Sequence, residues 1–146
     1  MRETDIRPTL AVFGGSFNPP HVGHVLLPAW LLSQGLAARV LVAPCETHAL
    51  GKSLPPFEQR LAWTRAAMAQ HGPSVIVSDL ERRLAQERLA AGDSSPSYAL
   101  GLLERVARDY PDHRVRLVVG SDIIDSGETA RWHRWDLIER DYPPIV

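Results

Sequence analysis

This sequence of 146 residues has a single cysteine, a formal net charge of only -1 and no long apolar run. Cys45 alone cannot form an internal disulfide, and the near-zero net charge gives no general attraction for nucleic acid polymers or anionic membranes. The longest apolar stretch, near residues 25–32, contains Pro28 and is far shorter than the roughly 20 residues that span a bilayer. No basic segment followed by an apolar signal run opens the sequence. These absences predict a cytoplasmic location and exclude a membrane or a nucleic acid polymer as partner, while a homo-oligomer remains open.

The composition is that of an ordinary globular chain, with 45% hydrophobic and 23% charged residues. A chain of this length buries enough surface for one core, and no repeat, low-complexity tract or linker divides it. We therefore expect a single domain over residues 1–146. Any affinity for a charged ligand has to come from a local site rather than from overall charge.

Four short apolar runs rich in β-branched residues are predicted strands, and they cover residues 9–13, 39–43, 75–77 and 115–119. Predicted helices lie between them, over 22–33, from Phe57 to about Gly72, and along a stripe formed by Tyr98, Leu102 and Val106. Residues 81–92 are predicted to form a solvated helix or a lid. Strands that alternate with helices predict an α/β fold, namely a Rossmann-like three-layer α/β/α arrangement with a mostly parallel sheet.

One local conflict stands in this assignment. Pro28 falls in the interior of the predicted helix 22–33. A proline there costs on the order of 3 kcal/mol unless the helix kinks, because the ring removes a backbone donor and crowds the preceding turn.

The most informative stretch is Gly-Gly-Ser-Phe-Asn-Pro-Pro-His-Val-Gly-His at residues 14–24, directly after the first predicted strand. Two glycines at a strand end let backbone N–H groups approach an anion closely, and a following helix N-terminus favours negative charge. His21 and His24 are three residues apart on the first turn and would face one point. The spacing matches neither the dinucleotide fingerprint nor the P-loop. A Gly-Pro turn with two histidines by chance is the alternative.

The string resembles the G-G-S/T-F-D/N-P-x-H-x-G-H signature of the nucleotidyltransferase superfamily, and most of the chain resembles its nicotinate/nicotinamide mononucleotide adenylyltransferase branch. The resemblance implies transfer of AMP from Mg-ATP to nicotinate or nicotinamide mononucleotide in NAD biosynthesis, giving the dinucleotide and pyrophosphate. It implies His21 and His24 as catalytic residues. The ATP-binding residues that it implies are Gly14, Gly15, Ser16, Phe17, Asn18, His21, Gly23, His24, Lys52, Gly120 and Asp122. Asn18 stands where aspartate is common, so Mg²⁺ is expected on phosphates and water, with no protein metal ligand.

Further segments extend the resemblance. Ser97-Tyr98 resembles the start of a helix beside the pyridine-nucleotide pocket, with Ala99 in place of the usual threonine, and Gly120-Ser121-Asp122 resembles a substrate-binding G-A/S-D motif. In Trp132-His133-Arg134-Trp135, Trp132 is the expected stacking residue and Trp135 a core residue. The implied substrate-binding residues are Ser16, Phe17, Lys52, Ser97, Tyr98, Asp122 and Trp132. Lys52 and Arg60 are weaker candidates for holding phosphates.

Simpler structural roles stay open for several of these residues. Ser97 and Asp122 are equally suited to cap helices, and Tyr98 to pack in the core.

One motif of the family is missing. The family continues past its fifth strand to a helix that opens with S-S/T-x-x-R, whereas this sequence ends at Pro144-Ile145-Val146. Three interpretations are open: a tail encoded elsewhere, weakened ATP binding, or lost turnover. The alternative functions are a nucleotidyltransferase that uses ATP with phosphopantetheine or CTP with a phosphorylated alcohol, and a non-catalytic nucleotide-binding module.

Overall fold

The computed structural model describes residues 4–46 and 53–146. Its strands are β1 (Thr9–Gly15), β2 (Arg39–Pro44), β3 (Val75–Val77) and β4 (Arg114–Leu117). They form one sheet in the order β3-β2-β1-β4, in which every neighbouring pair is parallel. β1 thus lies between β2 and β4, with Gly15 opposite Pro44 and Val12 opposite Leu117.

Parallel neighbours need crossover connections, and helices supply them. The helices are α1 (Val22–Ser33), α2 (Phe57–Met68), α3 (Leu80–Ala90), α4 (Ala99–Asp109), α5 (Ser121–Asp125) and α6 (Trp135–Asp141). Short 3₁₀ segments at Ala69–Ser74 and Glu128–Arg131 complete the described structure.

The two faces of the sheet carry separate apolar clusters, because successive strand residues point to opposite sides. Leu10 and Val12 of β1 belong to a cluster that α3, α4 and α6 cover. Ala11, between them in sequence, belongs to a second cluster with Leu31 of α1 and Met68 of α2. Helices therefore cover both faces of a parallel sheet, which confirms the predicted three-layer α/β/α fold.

The predicted bounds of the first crossover helix are those of α1. The helix runs through Pro28 without interruption, and the proline is buried. The missing donor affects only the carbonyl one turn earlier, so the lost hydrogen bond stays local.

The fourth strand is shorter than predicted. β4 ends at Leu117, and Val118 forms a parallel bridge with Ile145 instead. The Val119 N–H donates to the Ile145 carbonyl at 2.9 Å, so residues near the end of the sequence lie beside β4 on the side away from β1. β1 in turn extends two residues beyond its prediction, through both glycines.

The predicted apolar stripe of α4 is wrong at its first position. Tyr98 precedes the helix and is 41% exposed, whereas Leu102 and Val106 are buried in the sheet-facing cluster. Among the described residues, no helix has the length and apolar character needed to cross a bilayer.

Candidate functional site

The candidate site lies where β1 and β4 end. These strands are parallel neighbours, so the segments that follow them, residues 14–18 and 120–122, lie at the same edge of the sheet. α1 leaves this edge on one face of the sheet, and the helices after β3 cover the other face. The strand connections from β1 and β4 thus leave on opposite faces of the sheet. In open α/β sheets, ligands bind in the crevice at such a point.

His21 and His24 cap α1 with their own side chains. The Nδ1 of His21 accepts hydrogen bonds from the N–H groups of Gly23 at 3.1 Å and His24 at 3.4 Å. The Nδ1 of His24 accepts in return from the His21 N–H at 3.1 Å. The two rings are stacked, with centroids 3.7 Å apart and planes inclined by 19°. This reciprocal pattern is a capping box in which imidazoles replace the usual hydroxyl and carboxylate.

The capping bonds fix which ring nitrogen carries the proton. An Nδ1 that accepts a backbone N–H is unprotonated, so the proton of each neutral ring is on Nε2. Among the described residues, neither Nε2 donates to a protein acceptor. Both rings therefore offer an Nε2–H to a ligand.

The pKa of His24 is lowered from 6.5, first because burial penalises its charged form and second because His21 lies against it. The neutral donor form is therefore the one present near pH 7. Below about pH 6.5 the unfolded chain takes up a proton that the folded His24 resists, so the contribution of His24 to folding stability falls as the pH falls.

We expect His24→Asn to reduce this acid sensitivity, because asparagine keeps an acceptor near the Nδ1 position and does not titrate. The measurement is the change in melting temperature between about pH 7.5 and about pH 5.5. His113→Asn, a half-buried histidine outside the site, is the control. Equal changes of melting temperature with pH in wild type and His24→Asn would contradict the assignment.

The Phe17 side chain is buried and packs against His24 of the histidine pair. Its side chain is 1% exposed and packs edge-on against His24, with ring centroids 4.9 Å apart, and against Phe13 at 5.4 Å. Its φ of 48° lies in the left-handed region, which is uncommon for a bulky residue and marks a sharp corner in the chain. With the ring turned inward, only the backbone of Phe17 is available to a ligand.

Gly23 and Gly120 allow side chains to fold back over the backbone. A Cβ on Gly23 would lie 3.0 Å from Cε1 of His21, and a Cβ on Gly120 would lie 2.5 Å from Oδ1 of Asp122. Gly120, not Asp122, occupies the N-cap position of α5, and no side chain caps that helix. The capping alternative for Asp122 is therefore wrong, and its exposed carboxylate stays beside the glycine.

The segment before α4 has its own contacts. Ser97 Oγ accepts from Nη2 of Arg88 in α3, and the N-cap position of α4 belongs to Tyr98, so the capping alternative for Ser97 is also wrong. The Tyr98 ring stacks on His133, with centroids 4.2 Å apart. Arg88, Tyr98 and His133 help line a cavity of about 200 Å³.

Trp132 and Trp135 differ little in their surroundings. Both are partly buried against the cluster on the α4 side of the sheet, and their rings meet edge to face with centroids 5.6 Å apart. His133 between them is exposed. Within the Trp132–Trp135 segment, His133 is therefore the ring that stacks on Tyr98, a contact that the sequence did not indicate.

Arg60 of α2 is 1% exposed, and backbone carbonyls surround its guanidinium. Nη1 donates to Ser16 at 3.0 Å and to Cys45 at 2.7 Å, Nη2 to Glu46 at 3.2 Å, and Nε to Pro55 at 3.0 Å. These bonds occupy most of its donors, so the idea that Arg60 grips phosphates directly is not supported. The residue instead joins the corner after β1 to the loop after β2.

Glu81, at the start of α3, is buried beside this region with 7% exposure. Burial raises its pKa to about 7, with a further increase from Glu46, although Arg88 and a hydrogen bond with Ser97 act in the opposite direction. The folded chain thus holds a proton that the unfolded chain releases above pH 4.5. The contribution of Glu81 to stability is therefore lost as the pH rises from 4.5 to about 7.

We expect Glu81→Gln to be more stable than wild type at about pH 8, by on the order of 3 kcal/mol, and to lose this advantage near pH 4.5. Thermal unfolding across this range measures the effect. Glu87→Gln, on the exposed side of the same helix, is the control. A pH-independent difference between Glu81→Gln and wild type would contradict the buried, proton-holding carboxyl.

Other predicted site residues lie partly outside these contacts. Gly14 and Asn18 are exposed at the corner, and Ser16 is half-buried there. Lys52 lies outside the described residues. Residues 4–46 and 53–146 contain no group of three or more His, Cys, Asp or Glu side chains placed to hold a metal ion.

The buried role of Arg60 has a sequence signal. The buried positions of α2 are Phe57, Arg60, Leu61, Thr64 and Met68, a set with helical spacing on one face. An arginine on the apolar stripe of a helix indicates a buried guanidinium rather than a solvent-facing one. The Arg88 to Ser97 and Tyr98 to His133 contacts join separate elements and have no comparable local pattern.

A family model described as cytidylyltransferase-like matches residues 12–143, which is most of the chain. The chain belongs to the cytidylyltransferase-like family. This membership confirms the nucleotidyltransferase resemblance that the glycine and histidine motif indicates.

Similar proteins extend the comparison. The chain is 41% identical over 131 residues to a probable nicotinate-nucleotide adenylyltransferase of Anaeromyxobacter sp. (strain K), covering 89% of this chain and 65% of that protein. It is 33% identical over 140 residues to the protein of that name from Salinibacter ruber, covering 94% and 66%. This member of the cytidylyltransferase-like family therefore spans about two thirds of the length of these relatives.

A solved structure shows the same fold. The Plasmodium falciparum nicotinic acid mononucleotide adenylyltransferase complexed with NaAD superposes with a TM-score of 0.72 at 18% identity, covering 90% of this chain and 60% of that one. The same enzyme complexed with APC gives a TM-score of 0.68.

Proposed function

We propose that this chain transfers the adenylyl group of Mg-ATP to nicotinate mononucleotide, with nicotinamide mononucleotide as the second candidate acceptor. The histidine pair is the observation that carries the proposal. Its two Nε2–H donors, fixed by reciprocal Nδ1 caps, stand at the edge of the sheet where nucleotides bind in this class of fold. The names of the similar proteins agree with this substrate class.

In the proposed reaction, a 5′-phosphate oxygen of the mononucleotide attacks the α-phosphorus of ATP. The bond from that phosphorus to the bridging oxygen breaks, and pyrophosphate leaves with the electron pair. No protein nucleophile is needed, because nucleotidyl transfer depends mainly on alignment and charge stabilisation.

We assign the Nε2–H of His21 to the α- and β-phosphates and that of His24 to the charge that develops in the transition state. Backbone N–H groups at Ser16 and Phe17 contribute further donors, whereas the Gly15 N–H takes part in the β1–β2 pairing. Donors that are already oriented stabilise developing charge without reorganising during the reaction. The caps on Nδ1 supply that orientation here.

Mg²⁺ fits this site as a partner of the phosphates. The described residues provide no cluster of protein ligands for it, and Mg²⁺ commonly keeps several waters while bridging phosphate oxygens. When bound, the ion neutralises phosphate charge. Asn18 and Asp122 are exposed at the same edge of the sheet.

For the acceptor, we propose a site at Ser97, Tyr98 and Trp132, extended by His133. α4 leads into the start of β4, so its N-terminus lies at the same edge of the sheet as the glycine corner. The exposed Tyr98–His133 stack offers aromatic faces to a pyridine ring. Trp132 contributes from its partly buried position. A cytoplasmic location belongs to the same proposal, since a single unpaired cysteine suits a reducing compartment.

The test is to incubate the purified chain with Mg-ATP and each mononucleotide and to measure pyrophosphate and dinucleotide. His24→Asn, purified in parallel, controls for contaminating host enzyme. We expect both products from wild type in equal amounts. Parallel incubations contain ATP with phosphopantetheine, or CTP with a phosphorylated alcohol. Product formation only in one of these would replace the proposal with the neighbouring reaction class.

Calorimetry separates a catalyst from a binder. Heat on addition of Mg-ATP without pyrophosphate release would identify a non-catalytic nucleotide-binding module. A chain that binds neither substrate and forms neither product would contradict the proposal.

A further inference from the structure

Arg60 joins the glycine corner to the loop after β2 by a set of backbone bonds. Its guanidinium reaches four carbonyls, of Ser16, Cys45, Glu46 and Pro55, over 2.7 to 3.2 Å. These carbonyls come from three separate segments: the corner after β1, the end of β2 with the residue after it, and the residues just before α2. One buried side chain therefore sets their relative positions.

The charge of Arg60 has no carboxylate partner within ion-pair distance among the described residues. The nearby carboxylate of Glu46 is bound by Nε of Arg82 at 2.7 Å instead. A buried guanidinium is stable here because carbonyl dipoles satisfy its donors, a geometry that requires the planar fork of arginine. A lysine ammonium has three donors at one point and does not reach all four carbonyls.

The hydrogen bond from Arg60 to the Ser16 carbonyl affects the backbone N–H groups that are proposed to bind phosphate. In a trans peptide the C=O and the following N–H point in opposite directions, so turning the Ser16 carbonyl toward Arg60 turns the Phe17 N–H away from it. Neither the Ser16 nor the Phe17 N–H donates to a protein acceptor in residues 4–46 and 53–146. The Gly15 carbonyl is held in turn by the Cys45 N–H at 2.9 Å.

We propose that Arg60 is a positioning residue for adenylyl transfer, which acts by orienting the Ser16–Phe17 peptide so that its N–H meets the reacting phosphates. This role rests on the proposed function. Arg60 does not touch substrate. It fixes the direction of a backbone donor that does.

The test compares Arg60→Lys with Thr64→Val. Thr64 is also fully buried on α2, one turn later, and its hydroxyl donates to the Arg60 carbonyl at 2.7 Å. Its replacement therefore perturbs the same helix without touching the carbonyl set. We expect Arg60→Lys to lower kcat about tenfold or more with little change in KM for ATP. We expect Thr64→Val to keep the wild-type kcat even if its melting temperature falls as much as that of Arg60→Lys, or more.

A second readout follows the Phe17 amide itself by nuclear magnetic resonance. In wild type and Thr64→Val its resonance should shift when Mg-ATP is added, and in Arg60→Lys this shift should be lost or reversed. Arg60→Gln, which removes the charge and keeps two donors, is measured by both readouts if the lysine variant does not fold. It should show the same losses.

The outcomes separate the two proposals. An active wild type whose Arg60 variant keeps kcat and the Phe17 response, or whose Thr64→Val control loses both, would overturn the positioning role alone. A wild type that neither binds Mg-ATP nor releases pyrophosphate would overturn the proposed function and, with it, the role of Arg60.

Discussion

Replacing His24 with alanine is expected to lower kcat for adenylyl transfer by about two orders of magnitude or more while the chain stays folded. The expectation follows from the loss of one oriented donor to developing phosphate charge, which has an effect of about that size in other enzymes. The side chain is only partly buried, so the core contacts of α1 remain.

The alanine variant also removes a cap, and a matched pair separates the two effects. Asparagine at position 24 retains an acceptor near Nδ1 for the His21 N–H but has no group at Nε2. Glutamine places an amide N–H near the Nε2 position. We expect His24→Asn to fold like wild type and to be as slow as His24→Ala, and His24→Gln to recover part of the rate.

Steady-state release of pyrophosphate, with thermal unfolding of each variant, measures these effects. A His24→Asn variant with wild-type kcat would remove the Nε2–H from the mechanism. A loss of rate that follows the loss of melting temperature across the three variants would assign His24 a capping role only.

Gly23→Ala should lower activity while leaving stability almost unchanged. The new Cβ would lie 3.0 Å from Cε1 and 3.1 Å from Nδ1 of His21, so the ring must move and its capping bonds weaken. The stacked pair moves with it, and we expect a loss of rate of about tenfold, because a misplacement of about 1 Å costs about a hundredfold and this displacement is smaller. Alanine nevertheless favours the helix over glycine by up to about 1 kcal/mol, which offsets the weakened cap.

Gly101→Ala is the control for helix propensity. Gly101 is an exposed glycine within α4, and apart from the helix's own backbone no atom lies within 4 Å of its added Cβ. It also lines the cavity beside Tyr98 and His133, so this control is read by melting temperature only. We expect its melting temperature to rise and that of Gly23→Ala to change little. An active Gly23→Ala variant with a raised melting temperature would show that His21 does not need its observed position.

The sequence predicted the layers, the helix α1 and the convergence of residues 14–18 and 120–122 at one edge of the sheet, because each depends on local patterns. Apolar runs of strand length alternate with helical stripes, and the string from Gly14 to His24 fixes where β1 ends and α1 begins. Pro28 conflicts with the helix only locally, and its ring is buried.

The contacts between elements were harder to predict from the sequence. The sequence placed Tyr98 on the buried stripe of α4, but the residue lies one position before the helix and stacks on His133, 35 positions later in the chain. Such a pair depends on how α4 and the segment before α6 meet. The burial of Arg60 could have been predicted, because helical spacing places it on the same face of α2 as the apolar residues.

The structure of this chain with Mg-ATP or a non-hydrolysable analogue bound tests the central claim most directly. The account predicts the triphosphate at the corner between β1 and β4, about 3 Å from Nε2 of His21 and His24 and from the backbone N–H groups that follow Gly15. A triphosphate bound elsewhere, or imidazole rings whose Nε2 atoms point away from it, would contradict the account.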